Sequence, residues 1–151
     1  MVWTVMHTAA RDGDMKRMRR CIEEIKWLDK TDVNAQTEAR GHTPLHMCAA
    51  NGHTEVMQYI INVKGANVNI QTKAGNTPLH LAAQNSKDAA CKMLLNNGAI
   101  ANVQNGRGQT AADVCTLPSL QAFLAAEVAE ASKKKAYRKM DSSMSSSMGS
   151  E

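Results

Sequence analysis

Thr77-Pro78-Leu79-His80-Leu81-Ala82-Ala83 is the clearest copy of a phrase that the chain spells four times. It returns as Thr43-Pro44-Leu45-His46-Met47-Cys48-Ala49, as Thr4-Val5-Met6-His7-Thr8-Ala9-Ala10 and, more worn, as Thr110-Ala111-Ala112-Asp113-Val114-Cys115-Thr116. The leading threonines stand at 4, 43, 77 and 110, spacings of 39, 34 and 33 residues. Self-similarity at a period of this size marks a stacked repeat, in which each unit buries its apolar face against the next.

The landmarks around the phrase have physical reasons. A threonine ahead of a helix caps its free backbone amides, and a proline in the first helical position needs no amide hydrogen and has its backbone angle already set. Thr43-Pro44 and Thr77-Pro78 are therefore helix starts. Gly65 and Gly98 follow the apolar runs Tyr59-Ile60-Ile61 and Met93-Leu94-Leu95, where a positive backbone angle ends a helix. The polar, glycine-bearing residues 69–77 and 102–110 read as exposed turns or β-hairpin fingers that join one helix pair to the next.

The order of these landmarks resembles the ankyrin repeat. The best copy runs Gly41-His42-Thr43-Pro44-Leu45-His46, then Asn51-Gly52-His53-Thr54-Glu55-Val56, then Gly65-Ala66-Asn67-Val68-Asn69. The next runs Gly75-Asn76-Thr77-Pro78-Leu79-His80 and closes on Gly98-Ala99-Ile100-Ala101-Asn102. The resemblance covers roughly residues 3–124. It implies an all-α solenoid of helix-turn-helix pairs joined by β-hairpin or turn fingers, followed by a C-terminal helix and a low-complexity tail. The expected division is a repeat domain over residues 1–131, with repeats near 1–36, 37–69, 70–102 and 103–131, and a basic helix end with a Ser/Met-rich tail over 132–151.

Composition agrees. The chain has 151 residues, 43% of them hydrophobic but only 3% aromatic, as suits small helices packed through Ala, Leu, Ile and Met. No apolar run reaches the length of a membrane span, and the start lacks both a signal-peptide pattern and the glycine required for myristoylation. The expectation is a soluble intracellular protein, cytoplasmic, with the nucleus left open. Cys21, Cys48, Cys91 and Cys115 sit singly, without metal-ligand spacing, and read as reduced packing residues. The sharper alternative is a redox role for Cys21, with Arg19 and Arg20 lowering its pKa.

In the first repeat, residues 3–10 supply the inner helix and 15–28 an outer helix carrying Lys16, Arg17, Arg19, Arg20 and Lys26, a charged face suited to the end of a stack. An extra helical turn and loop, with Trp27 and Leu28 over the end, accounts for most of the excess of the 39-residue spacing over the later 34 and 33. In the fourth repeat Asp113 replaces the histidine, and a helix beginning at Pro118 or Ser119 buries Leu120, Phe123, Leu124 and Val128. Beyond Met140 the serines and methionines read as a tail that cannot fold alone. Residues 132–151 carry three of the four net positive charges. That basic run reads first as a solvated helix end, and more sharply as a contact for an acidic protein surface, such as tubulin tails, as a contact for nucleic acid, or as a nuclear-import signal.

No phosphate loop, nucleophile elbow, or His and carboxylate cluster is present. No cofactor, metal or catalysis is expected, and the basic run is too short and poor in aromatics to favour nucleic acid. His7, His46 and His80 recur with the motif, and the resemblance gives them the role of bracing adjoining turns. It also places partners in the groove made by the finger tips and the exposed face of the inner helices. The tips are Glu38, Ala39 and Arg40, then Thr72, Lys73 and Ala74, then Asn105, Gly106 and Arg107. Carried over position by position, the expected binding residues are Trp3, Arg11, Arg40, His42, Asn51, Lys73, Asn76, Gln84, Asn85, Arg107 and Gln109. Trp3 reads equally as a partner anchor or as a lid on the first helix.

The function expected is a non-catalytic adaptor or assembly subunit that receives an acidic or mixed polar segment of another protein. Two alternatives stand beside it. One is a structural component of a large, for example cytoskeletal, assembly held by the C-terminal helix and tail. The other is a regulatory inhibitor of a kinase or transcription factor.

Overall fold

A computed structural model describes residues 2–27, 32–63 and 65–147. Among these the chain forms α1 (Val2–Asp12), α2 (Met15–Trp27), α3 (Pro44–Asn51), α4 (Thr54–Ile61), α5 (Pro78–Gln84), α6 (Asp88–Asn96), α7 (Ala111–Val114) and α8 (Pro118–Ser147). The inner helices α1, α3, α5 and α7 pack in a row. The outer helices α2, α4 and α6 form a second row behind them, each packed on its own inner helix, and α8 packs on α7.

The starts of α3 and α5 follow from their sequence. Thr43 and Thr77 are extended caps whose side chains accept from the backbone N–H of His46 and His80, with proline at the first helical position. Each histidine completes a capping box: the N–H of Thr43 donates to Nδ1 of His46 at 3.1 Å, and that of Thr77 to Nδ1 of His80 at 3.2 Å. Thr4 behaves differently, because α1 already begins at Val2 and encloses it.

The core is one apolar cluster along the interface of the two rows, with Met6, Met18, Ile22, Met57, Ile60, Leu79 and Leu94 fully buried. The outer row is also stitched by cations over rings: the Arg19 guanidinium lies 5.5 Å from the Tyr59 ring centroid, and the Lys92 ammonium 5.8 Å from that of Phe123. Helix α2 is 13 residues long against eight for α4, so the first outer helix does carry an added turn. The side chain of Trp27 and the whole of Leu28 lie outside the described residues.

Among the described residues the fingers are turns without strands. Each closes on one narrow backbone pair, such as Thr72 N–H to Asn76 O at 2.9 Å with Gly75 N–H to Thr72 O at 2.8 Å, too short for a ladder. Backbone to backbone, neighbouring fingers meet through single bonds, Lys73 N–H to Arg40 O (3.1 Å) and Gly106 N–H to Ala74 O (2.9 Å). Gly75 sits at this contact with φ of 80°, and a Cβ there would stand 2.6 Å from the backbone nitrogen of Gly106. Gly75→Ala is expected to destabilise the stack by about 1–2 kcal/mol from the left-handed backbone alone, with the clash adding to it. A urea melt with an unchanged midpoint would refute the finger packing.

The fourth repeat is cut short. Helix α7 has a single turn and leaves Cys115 extended, and Leu117, directly before Pro118, is disfavoured in the helical region by the proline. Pro118 then opens α8, whose stripe of Leu120, Phe123, Leu124 and Val128 closes the stack. Composition pointed to a tail after Met140 that cannot fold alone, and it is as the continuation of the packed start of α8 that residues up to Ser147 are helical. The run between Pro118 and Gly149 has no helix breaker, and Ser142 and Ser143 turn their hydroxyls onto the Lys139 and Met140 carbonyls at 3.0 and 2.9 Å. Residues 132–144 are exposed all round, and no break marks the division expected between 131 and 132.

Candidate partner-binding face

The face is positioned by histidines that cross from one repeat to the next. A backbone N–H can only donate, so Nδ1 of His46 and of His80 accepts and Nε2 carries the proton. Nε2 of His46 then donates to the Asn76 carbonyl at 3.0 Å, and that of His80 to the Gln109 carbonyl at 2.9 Å. His7 reaches the Ala35 and His42 carbonyls at 3.0 and 2.9 Å. Asp113 still caps, taking the Thr110 N–H and hydroxyl at 2.8 Å each. It needs no reach beyond, because α8 replaces a following finger. Asp113 is held below the usual carboxylate range by that backbone hydrogen bond. Burial lowers the pKa of His42 and His80, and that of His46 to about 4.

The fingers are locked side by side by residues that the sequence reading did not single out. Gln36 donates to Gly41 O (2.8 Å) in its own finger and Gln71 O (2.9 Å) in the next. Gln71 repeats this with Gly75 O and Gln104 O at 2.8 and 3.1 Å. Asn34 and Asn69 bridge the repeat ends in the same manner, to Gly65 O and Gly98 O at 2.8 and 3.1 Å. The signal was visible as glutamines at 36, 71 and 104 and asparagines at 34 and 69, in step with the period.

The expected binding residues fall into groups. Asn76, Gln84 and Arg107 line one concavity of about 390 Å³, together with Ala74, Asn105, Gly106 and Val114. Asn105 is its hub: its side-chain amide donates to Asn76 Oδ1 at 3.0 Å and Gln109 Oε1 at 3.4 Å, and its Oδ1 accepts from Arg107 N–H at 2.9 Å. Gln109 thus touches the site through Asn105. Arg40 and Arg107 are exposed at their tips, two residues ahead of a threonine-preceding position each, whereas Lys73 stands one residue earlier on its finger and turns its ammonium back onto the Glu38 carbonyl.

The others lie along the same register. Asn51 and Asn85 are exposed at the ends of α3 and α5, each donating to a carbonyl one turn back at 3.0 Å. Arg11 is exposed but paired with Asp12 at 2.9 Å, and its carbonyl accepts from Nε2 of His53 at 3.0 Å. His42 is half-buried, its ring stacked 5.9 Å from that of His46. Trp3 lies in α1, its side chain outside the described residues.

The redox alternative for Cys21 is overturned. Its side chain is buried, 4% exposed, and burial with nearby Glu24 raises the thiol pKa, outweighing Arg20. Burial likewise raises Cys48, and Cys91 to about 12. All four cysteines are free.

The sequence matches the family model described as ankyrin repeats, in three copies, over residues 6–105. The chain belongs to the ankyrin repeat family. It is 39% identical over 107 residues to protein phosphatase 1 regulatory subunit 12A of Mus musculus, covering 70% of this chain and 10% of that protein. It is 29% identical to the human BCL-6 corepressor-like protein 1, over 80% of this chain and 6% of that protein. The human ankyrin repeat domain-containing protein 7 is 39% identical over 37% of this chain and 20% of its own length. The chain therefore spans only about a tenth of the first of these relatives. A repeat region of this kind is a protein-binding one, typical of non-catalytic proteins. Among the described residues no helix is long and apolar enough to cross a membrane.

Proposed function

We propose that this chain is a non-catalytic adaptor or assembly subunit that holds an acidic or mixed polar segment of another protein on its finger and inner-helix face. The observation that carries the reading is the concavity between the second and third fingers. Asn76, Gln84 and Asn105 offer amides there under the Arg107 cation, on a surface held rigid by the histidine and glutamine bridges. A preorganised surface loses little entropy on binding, so polar contacts give net affinity. Arg40 and Arg107 enter no ion pair among the described residues and set the sign of the segment that is captured. The compartment proposed is the cytoplasm.

Exchanging Arg40, Lys73 and Arg107 for Glu is expected to weaken capture of the native partner by at least about tenfold, while the thermal midpoint stays unchanged. Capture at full strength by the triple variant would remove the reading. The exposed half of α8 supports a second reading, in which the chain is a component of a large assembly gripped by that helix. Removal of residues 132–151 separates the two, since a finger-face binder keeps its partner and a helix-held component loses it.

A further inference from the structure

A second concavity lies away from the fingers, between α8 and the turn after α6, and encloses about 620 Å³, within the range of ligand clefts. Its floor is apolar, built by Leu95, Ala99, Ile100 and Val103. Ile100 is out of character. It holds the place that Asn67 holds one repeat earlier, and it leaves 48% of its surface in solvent. The backbone requires nothing apolar there: the Ile100 N–H donates to Asn69 Oδ1 at 2.9 Å, just as the Asn67 N–H donates to Asn34 Oδ1 at 2.9 Å. The repeat works with asparagine at this position, and here it presents isoleucine.

The opposite wall is charged, and the charge is graded. Glu127 and Glu130 lie toward the stack, while Lys134, Lys135 and Arg138 lie toward the free end of α8. Glu130 is already paired with Lys133 at 3.0 Å. Lys134, Lys135 and Arg138 enter no ion pair among the described residues. Residues 131, 134, 135 and 138 share one helix face, so these three cations line the groove together and prolong its apolar floor outward.

An apolar floor that ends in three cations selects a ligand with an apolar anchor followed by negative charge. We infer that this groove is a second docking site, for a short segment of a partner protein in which a branched apolar side chain precedes two or more carboxylates. The anchor covers Ile100 and Val103, and the carboxylates meet Lys134, Lys135 and Arg138. The free half of α8 in a second copy of this chain brings like charge and is repelled. A nucleic acid would lack aromatic faces for its bases, since none lines the groove.

The probe is a fluorescein-labelled synthetic peptide bearing two leucines followed by three glutamates, titrated by anisotropy against the full chain. A control peptide replaces the leucines with serine. The expected result is saturable binding of the leucine peptide, at least tenfold tighter than the control. That affinity should fall at least tenfold in Ile100→Asn, which restores the repeat's own residue at an exposed position, and also in the triple exchange of Lys134, Lys135 and Arg138 for Glu. Arg40→Glu with Arg107→Glu should leave it unchanged, which separates this groove from the finger face. Equal binding of the two peptides, insensitivity to Ile100→Asn, or loss of binding on the finger exchange would each overturn the assignment. So would absence of saturable binding to the wild-type chain.

Discussion

Leu79→Ala is expected to cost about 2–5 kcal/mol and to lower the thermal midpoint by on the order of 10 °C. Leu79 is 1% exposed on α5, the helix that packs at once on α3, α6 and α7. The cavity left by truncation therefore opens at the centre of the stack, where the four-repeat chain has neighbours on both sides to lose. Each repeat is stabilised mainly by the interfaces with its neighbours, so weakening the middle one uncouples the two ends. Leu81 stands two residues away on the same helix but is only half-buried, and Leu81→Ala is expected to cost clearly less. Circular dichroism melts of the two variants side by side check the register of α5. Equal midpoints would mean that the inward and outward faces are misassigned.

That contrast between Leu79 and Leu81 was legible in the sequence because the phrase repeats. A single seven-residue helix says little about which face is buried, whereas four copies in step fix the position of Leu79 relative to its cap, its histidine and its small residues. The caps at Thr43 and Thr77 were equally legible, since proline after threonine has one physical use at a helix start. Two things were not. The extent of α8 was hidden because serine-rich composition argues against a folded core, while helix propagation needs only one bond per added residue once a packed segment has nucleated it. The hub role of Asn105 was hidden because it depends on the distance between Asn76 and Gln109, which lie on different fingers. Lys73 shows the same limit from the other side: its position one residue earlier on the turn, read as another crowning cation, lets it fold back onto Glu38.

Lowering the pH from 7 to 5 is expected to remove about 2 kcal/mol of stability through His46 alone. In the fold Nδ1 of His46 accepts the Thr43 N–H and Nε2 donates to the Asn76 carbonyl, so a second ring proton would point at a donor. Burial is the largest cause of the shift and brings the pKa to about 4, below the value near 6.5 of an unfolded histidine. Between these values the unfolded chain binds more protons than the folded one. The contribution is therefore complete above pH 6.5, is lost as the pH falls, and levels off below pH 4. His80 and His42 are shifted in the same direction and steepen the same limb. Urea titrations at pH 7 and pH 5 measure it, and His46→Gln, which keeps a donor toward Asn76, should shrink the difference between the two by about the histidine's share. A wild-type chain as stable at pH 5 as at pH 7 would contradict the neutral bridge. The pKa of Asp113 is also lowered, but for a carboxylate this favours the charged form, held by the Thr110 hydrogen bonds. Its contribution is therefore present above the ordinary carboxylate value and is lost as the pH falls from there through its own lowered one. The two windows meet only near pH 4, so a loss between pH 7 and 5 identifies the histidine bridges as its source.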